Sequence, residues 1–344
     1  MDREPTTSLA YLGDLDRVRE TVRKALTPED PELLAPLQHF VDRPGKLLRP
    51  ALVLATASVT GGETPATERV VLAASATEIL HLASLYHDDL CDRSPIRRGV
   101  PTVNARYGEN TALVLGDYLL ATALGTAGSL GAQELAGAVR CAQQICTGQL
   151  AELRDSGNPE RSVEGYLHAV AGKTAALLSF SARLGVLAAD GGETRAEAAA
   201  ACGHHLGVAF QIWNDLRDLA DIAADPAPPG AGPAPDLGNG VYTLPVLYAM
   251  ERHSAALRPL LAAATSGANL ARIAGIVQDS GSFDRARQVA DGHLATAFAR
   301  AAELSGPYGD APALLRATLH RLLPEAVRPH SRDEPAATPA GGIG

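Results

Sequence analysis

From Val70 to Asp92 the chain contains no glycine or proline, is rich in Ala, Leu, Val and Ile, and ends in acidic residues. Such a run is too long and too apolar for a strand and predicts a long buried helix. Its last part reads His81-Leu82-Ala83-Ser84-Leu85-Tyr86-His87-Asp88-Asp89-Leu90-Cys91-Asp92, and Arg97-Arg98-Gly99 follow closely. On a helix Asp88 and Asp92 share a face, with His81 on roughly the same stripe seven residues earlier. Carboxylates beside apolar surface need a counter-charge, because burying them unpaired costs several kcal/mol each. A hard cation that prefers oxygen, Mg²⁺ above all, answers that need and bridges to phosphate oxygens. The two arginines beyond the helix end match an incoming phosphate. The plainer reading is a charged, solvated helix end, so the rest of the chain has to decide.

Hydrophobic residues make up 46% of the 344 and aromatics only 4%, which favours close-packed helices over sheets. The net charge of −9 argues against a general nucleic-acid or anionic-membrane surface. Cys91, Cys141, Cys146 and Cys202 form no C-x-x-C pair, and the expectation is a reducing, cytoplasmic setting. Met1-Asp2-Arg3-Glu4-Pro5 does not read as a signal peptide, and no apolar run is read as reaching about 18 residues, so no membrane span is expected.

Before the acidic helix, Ser8 to Leu26 reads as an amphipathic helix. A short helix then leads to Arg43-Pro44-Gly45-Lys46-Leu47-Leu48-Arg49-Pro50, which places two cations three apart at a loop-to-helix junction, where free N–H groups also favour anions. Apolar helices are expected over Ala51–Val59, Val114–Leu124, Glu134–Asp155 and Arg161–Ala189. The last of these carries Lys173-Thr174 at its centre, and a lysine there either snorkels or binds something. Arg195 to Ala223 continues the pattern and holds Phe210-Gln211-Ile212-Trp213-Asn214-Asp215-Leu216-Arg217-Asp218. This is a second acidic cluster with the spacing of the first, except that Asn replaces the first Asp. His204 and His205 are adjacent and read as packing or surface residues. Asp225 to Gly240, rich in Pro, Gly and Ala, is expected to be a flexible loop after a candidate site, where lids occur. Helices resume at Thr243-Leu244-Pro245 and run to about Val327. The expected organisation is one helical domain, 1–327, with a disordered tail, 328–344.

Two Asp-rich helix ends, a Gly-Lys-x-x-Arg-Pro start and a Lys-Thr between them resemble the trans-isoprenyl diphosphate synthase (polyprenyl synthetase) family. The likeness runs in order from about Gly45 to Pro245. It implies an all-α, single-domain helical bundle around a deep central cavity, and a homodimer. It further implies that Asp88 and Asp92, with Asp89 in support, hold two Mg²⁺ ions on an allylic diphosphate. A third Mg²⁺ would be held by Asn214 and, directly or through water, by Asp215 and Asp218. Arg97 and Lys173 would contact the allylic diphosphate, and Gly45, Lys46, Arg49, His81 and Arg98 would form the site for isopentenyl diphosphate. Thr174 and Gln211 match residues beside the ionising carbon.

The activity so implied is Mg-dependent head-to-tail condensation of the two diphosphates. Metal ions and cations stabilise the leaving group, an apolar wall protects the carbocation, and no dedicated protein base is required. This chain departs from the family pattern at Asn214, which brings no charge to its ion, and at Val241, which stands where the family has lysine. Ser84 and Ala83, four and five residues before Asp88, are small where short-chain members often place an aromatic. The product expected is geranylgeranyl diphosphate or longer. A terpene cyclase on the same fold, a non-catalytic partner subunit, and prenyl transfer to another acceptor are the competing readings. The complete Lys46, Arg49, His81, Arg98 set argues against the cyclase, and the intact first cluster argues against the partner subunit.

Overall fold

The structure, a computed structural model, describes residues 9–41, 45–224, 236–263 and 267–323. After a 3-10 turn, Ala10–Asp14, come α1 (Leu15–Ala25), α2 (Leu34–Leu37), α3 (Leu48–Val59), α4 (Glu68–Cys91), α5 (Val103–Tyr107), α6 (Glu109–Leu130) and α7 (Ala132–Arg154). They are followed by α8 (Val163–Val170), a π-helical turn (Ala171–Ala175), α9 (Ala176–Ala188), α10 (Glu193–Ala224), α11 (Leu244–Leu261), α12 (Gly267–Asp279), α13 (Ser282–Ala302) and α14 (Ala311–Leu322). The all-α expectation holds. Two two-residue strands, β1 (Ile96–Arg97) and β2 (Val100–Pro101), pair antiparallel, Arg97 opposite Val100.

Local chemistry sets the helix starts. Thr67 caps α4 by accepting from the Val70 N–H at 3.4 Å, and Ser162 caps α8 by accepting from Gly165 at 2.9 Å. A side-chain oxygen there satisfies an N–H that has no partner within the helix. α4 lies at the centre of the bundle, against α1, α3, α6 and α9. Its Ile79, Leu80, Leu82 and Tyr86 are buried, and each such aliphatic side chain contributes about 1.5–3 kcal/mol relative to exposure. The Tyr86 hydroxyl is satisfied by donating to the Pro36 carbonyl at 2.6 Å. A second apolar cluster gathers around the end of α10, with Tyr166, Ile212, Leu216, Leu244, Leu257, Ile273 and Val277. The first acidic cluster thus stands at the end of α4, packed in the larger core, whereas the second lies within α10, which runs on to Ala224, and packs in the smaller.

The structure modifies three expectations. The helix foreseen over 161–189 is interrupted by the π-turn at Lys173-Thr174. Asp236–Asn239 forms a 3-10 turn with Leu237 buried, so this end of the foreseen 225–240 loop is packed; residues 225–235, and the tail foreseen from 328, lie outside the described residues. Finally, Glu68–Cys91, Glu109–Leu130 and Val163–Ala188 are each long and apolar enough to cross a membrane by length and composition. A count of uninterrupted apolar residues passes over them because scattered polar residues break each run.

Candidate active site

Two groups of charge converge around the end of α4. The first is cationic. Gly45 and Lys46 precede α3, and Arg49 occupies its first turn. The β1–β2 hairpin turns through Arg98 (φ 52°) and Gly99 (φ 76°), the two positive-φ positions of a type I′ turn. That turn brings the Arg98 guanidinium onto Gly45, where a Cβ would lie 2.5 Å from Arg98 Nη2. His81 is buried within the field of Arg49, Arg98 and Arg97, and its Nδ1 has no hydrogen-bond partner among the described residues. Burial pushes the proton affinity of His81 well below that of an ordinary imidazole, and Arg49, Arg98 and Arg97 push the same way. Arg49 is pushed down to about 10, mainly by burial, with Glu78 opposing and Arg98 reinforcing. A neutral imidazole beside crowded guanidinium groups makes a locally cationic pocket suited to an anion. Buried Glu78 is a carboxylate that sequence reasoning did not single out; burial raises its proton affinity, while Arg49, Arg98 and Arg19 lower it.

The second group is anionic and threaded by one lysine. Asp88 and Asp92 both bind protons more tightly than free carboxylates, first through burial and further through Glu152, whereas Lys173 and Arg97 oppose the shift. Asp89 points elsewhere. It is 1% exposed, and its Oδ1 takes the Arg97 Nε–H at 2.6 Å, while Oδ2 has no partner among the described residues. Its carboxyl is pushed up to about 6, chiefly by burial. Lys173 Nζ lies 2.5 Å from Glu152 Oε1. Burial works against its charge, but Asp88, Glu152 and Asp92 outweigh burial and raise its proton affinity.

Packing explains how Lys173 arrives there. A Cβ at Gly148 of α7 would strike the Lys173 backbone nitrogen, and one at Gly172 would come 2.7 Å from the Gln144 carbonyl oxygen. The two glycines let α7 and the π-turn touch backbone to backbone. The extra residue of the π-turn, a feature concentrated at functional sites, lets adjacent Lys173 and Thr174 both serve the site. The Thr174 hydroxyl donates to Gln211 Oε1 at 2.8 Å, and Gln211 Nε2 donates to Asp215 Oδ1 at 2.8 Å.

Asp215 is 3% exposed, and its Oδ2 accepts from the Tyr166 hydroxyl at 2.5 Å. Burial raises its proton affinity, Asp236 adds to this, and the Tyr166 and Gln211 donors pull it back. Asp218 is raised by burial and lowered by Arg217. Asp236, on the turn before α11, is pushed up to about 6 by burial and by Glu152, with Asp218 and Asp92 adding; Lys173 opposes. Asp236 therefore faces both clusters. Among the described residues no three His, Cys, Asp or Glu form a closed metal cage. The donor set is nonetheless the all-oxygen one that Mg²⁺ takes when one or two carboxylates hold it and phosphate oxygens and water complete its shell.

A family model described as Polyprenyl synthetase matches residues 30–277. The chain belongs to the polyprenyl synthetase family. It is 35% identical over 255 residues to the nonaprenyl diphosphate synthase of Mycobacterium tuberculosis, covering 73% of this chain and 75% of that protein. A decaprenyl diphosphate synthase from Rhodobacter capsulatus superposes with a TM-score of 0.80 at 27% identity, over 92% of this chain and 98% of that one. A geranylgeranyl pyrophosphate synthase from Corynebacterium glutamicum, complexed with calcium and isoprenyl diphosphate, superposes at 0.76 with 26% identity, over 93% and 97%.

The chain is thus a prenyltransferase, and its family is metal-dependent. The structure brings Asp88, Asp92, Lys173, Glu152 and Asp236 into one electrostatic group, and Arg49, His81 and Arg98 into another. Arg97 serves both, paired with Asp89 and felt by His81 and Asp88. Glu152, Asp236, Tyr166 and Glu78 were missed in sequence. Glu152 had a usable signal, four residues beyond Gly148 and so on the same helical face. The other three had none, because their partners are distant in the chain.

Proposed function

We propose that this prenyltransferase condenses an allylic diphosphate with isopentenyl diphosphate, head to tail, giving a trans-polyprenyl diphosphate of geranylgeranyl length or longer. The observation that carries the reading is the pairing of two unlike anion sites. The Arg49, His81, Arg98 group suits a diphosphate bound without metal, by guanidinium groups and a neutral imidazole, and the Asp88, Asp92, Lys173 group suits one bound through metal. A cyclase would have no use for the first.

In this reading Gly45, Lys46, Arg49, His81 and Arg98 hold the isopentenyl diphosphate. Asp88 and Asp92 hold two Mg²⁺ ions, and Asn214 and Asp218, backed by Asp215, hold a third. When bound, the metal ions supply charge that stabilises the departing diphosphate. Arg97, fixed by Asp89, and Lys173, fixed by Glu152, add cationic contacts to the same group. The allylic C–O bond breaks, the isopentenyl double bond attacks the cationic carbon to form the new C–C bond, and the proton lost from the adduct goes to the released diphosphate. Thr174 and Gln211 present hydroxyl and amide oxygens, whose partial negative charge favours the transient cation.

The reading extends to assembly and location. α6 and α7 leave Leu113 50%, Val114 64% and Leu150 66% exposed, an apolar face that supports a homodimer. Light scattering of the purified chain tests it. Cys91, Cys141, Cys146 and Cys202 are free thiols, which supports a cytoplasmic protein; cell fractionation tests that.

The deciding experiment incubates the protein with Mg²⁺ and dimethylallyl, geranyl or farnesyl diphosphate, with and without isopentenyl diphosphate. Longer prenyl diphosphates should form only from the paired substrates, and Asp88→Ala should abolish them. A hydrocarbon or alcohol formed from the allylic substrate alone would replace this reading with a cyclase.

A further inference from the structure

Tyr166 is buried on α8 at 2% exposure and donates its hydroxyl to Asp215 Oδ2 at 2.5 Å. The other carboxylate oxygen is held by Gln211, which is held in turn by Thr174. Asp215 is thus gripped from two helices, and its orientation is the meeting point of α8, the π-turn and α10. Behind the tyrosine stands Arg161. Its guanidinium carbon lies 5.5 Å from the Tyr166 ring centroid, and Nη1 reaches the Tyr242 carbonyl at 3.5 Å. The ring is therefore braced between a buried cation and a buried anion. Next to Asp215 is Asn214, the position at which this chain lacks a charge.

We infer that Tyr166 is a positioning residue for the second acidic cluster: its hydroxyl fixes the Asp215 carboxylate behind Asn214 and Asp218, and so sets the affinity for the divalent ion that arrives with a diphosphate. The inference rests on the metal-dependent reading proposed above. A neutral amide ligand such as Asn214 leaves more of the ion's attraction to anions beyond its immediate ligands. Outer partners of this kind typically change metal affinity about 10–100-fold when removed. Phenylalanine at 166 would keep the ring's volume and its stacking near Arg161 while leaving Asp215 Oδ2 buried with one donor fewer.

The test is Mn²⁺ binding to the full chain in the presence of inorganic diphosphate, followed by calorimetry, which needs no turnover. Tyr166→Phe should weaken the Mn²⁺ affinity about 10-fold and raise the Mg²⁺ concentration for half-maximal rate by a similar factor, leaving the KM for isopentenyl diphosphate unchanged. Asp215→Asn should weaken Mn²⁺ comparably, and the double variant should be no worse than Asp215→Asn alone, because the tyrosine acts through that carboxylate. A lowered melting temperature with unchanged Mn²⁺ affinity, or losses that add in the double variant, would overturn the inference. Should the wild-type protein make no prenyl diphosphate, the synthase reading fails while the Mn²⁺ titration still decides the role of Tyr166.

Discussion

Lys173 and Glu152 form an ion pair of 2.5 Å across the contact between the π-turn and α7, with Asp88 and Asp92 in the lysine's field. The pair engages the ammonium group with Glu152, apart from the two carboxylates that the proposed reading assigns to metal. Glu152→Gln should release Lys173 toward Asp88 and Asp92, where it competes with the ion. The expected outcome is a rise of about 5–10-fold in the Mg²⁺ concentration for half-maximal rate, with little change in rate at saturating Mg²⁺. An unchanged Mg²⁺ curve would show that Lys173 keeps its place without its partner.

Asp236 carries a carboxyl pushed up to about 6, against about 3.9 in an unfolded chain. Its folded form therefore holds a proton between roughly pH 4 and 6 that the unfolded form has lost, and stability falls as pH rises through that window. His81, His204, His205 and His293, shifted downward, act in the opposite direction. A difference measurement isolates the aspartate. Asp236→Asn should raise the metal-free melting temperature by about 2–4 °C at pH 7.5, and the gain should shrink to roughly half at pH 5. Calorimetry at the two pH values checks this; a larger gain at pH 5 would reverse the sign.

Asn214 and Val241 are neutral at positions where the family resemblance implies a charge. Restoring both, with Asn214→Asp and Val241→Lys, should lower the Mg²⁺ concentration for half-maximal rate several-fold, since each adds a charge of the sign its ligand needs. An identical Mg²⁺ curve would mean that Asp215 and Asp236 already compensate fully.

Ser84 lies one turn before Asp88 on α4, half-buried, with its hydroxyl bonded to the His81 carbonyl at 2.8 Å. In the proposed reading, a small side chain at this level lets a growing hydrocarbon pass below the first cluster. Ser84→Phe should shorten the main product by one or more isoprene units, read by chromatography of the dephosphorylated alcohols. An unchanged product distribution would place the limiting wall on another helix.

Most of the helices were legible because their apolar residues recur at helical spacing and glycine, proline or capping residues punctuate them. The boundaries shifted by a few residues, as with α6, expected over 114–124 and found over Glu109–Leu130. The charged motifs were legible for the same reason: Asp88 and Asp92, or Asn214 and Asp218, lie within one or two turns of each other, so local spacing alone puts them on one face. The π-turn was not legible. Lys173 and Thr174 sit in a sequence as apolar as its flanks, and the widened turn is accompanied by the close seating of Gly148 against Gly172 from another helix.

The sequence by itself therefore determined the all-α class, the order of the motifs and the placement of both acidic clusters on helices, because these follow from local periodicity and residue chemistry. Only the tertiary structure decided how the charges are shared. Asp89 turns to Arg97, Glu152 takes Lys173, Asp236 comes within electrostatic reach of both clusters, and Tyr166 reaches Asp215 from 49 residues away. Burial and electrostatic pairing depend on distances in space, and the spacing of residues along a chain does not carry that information until the helices have packed.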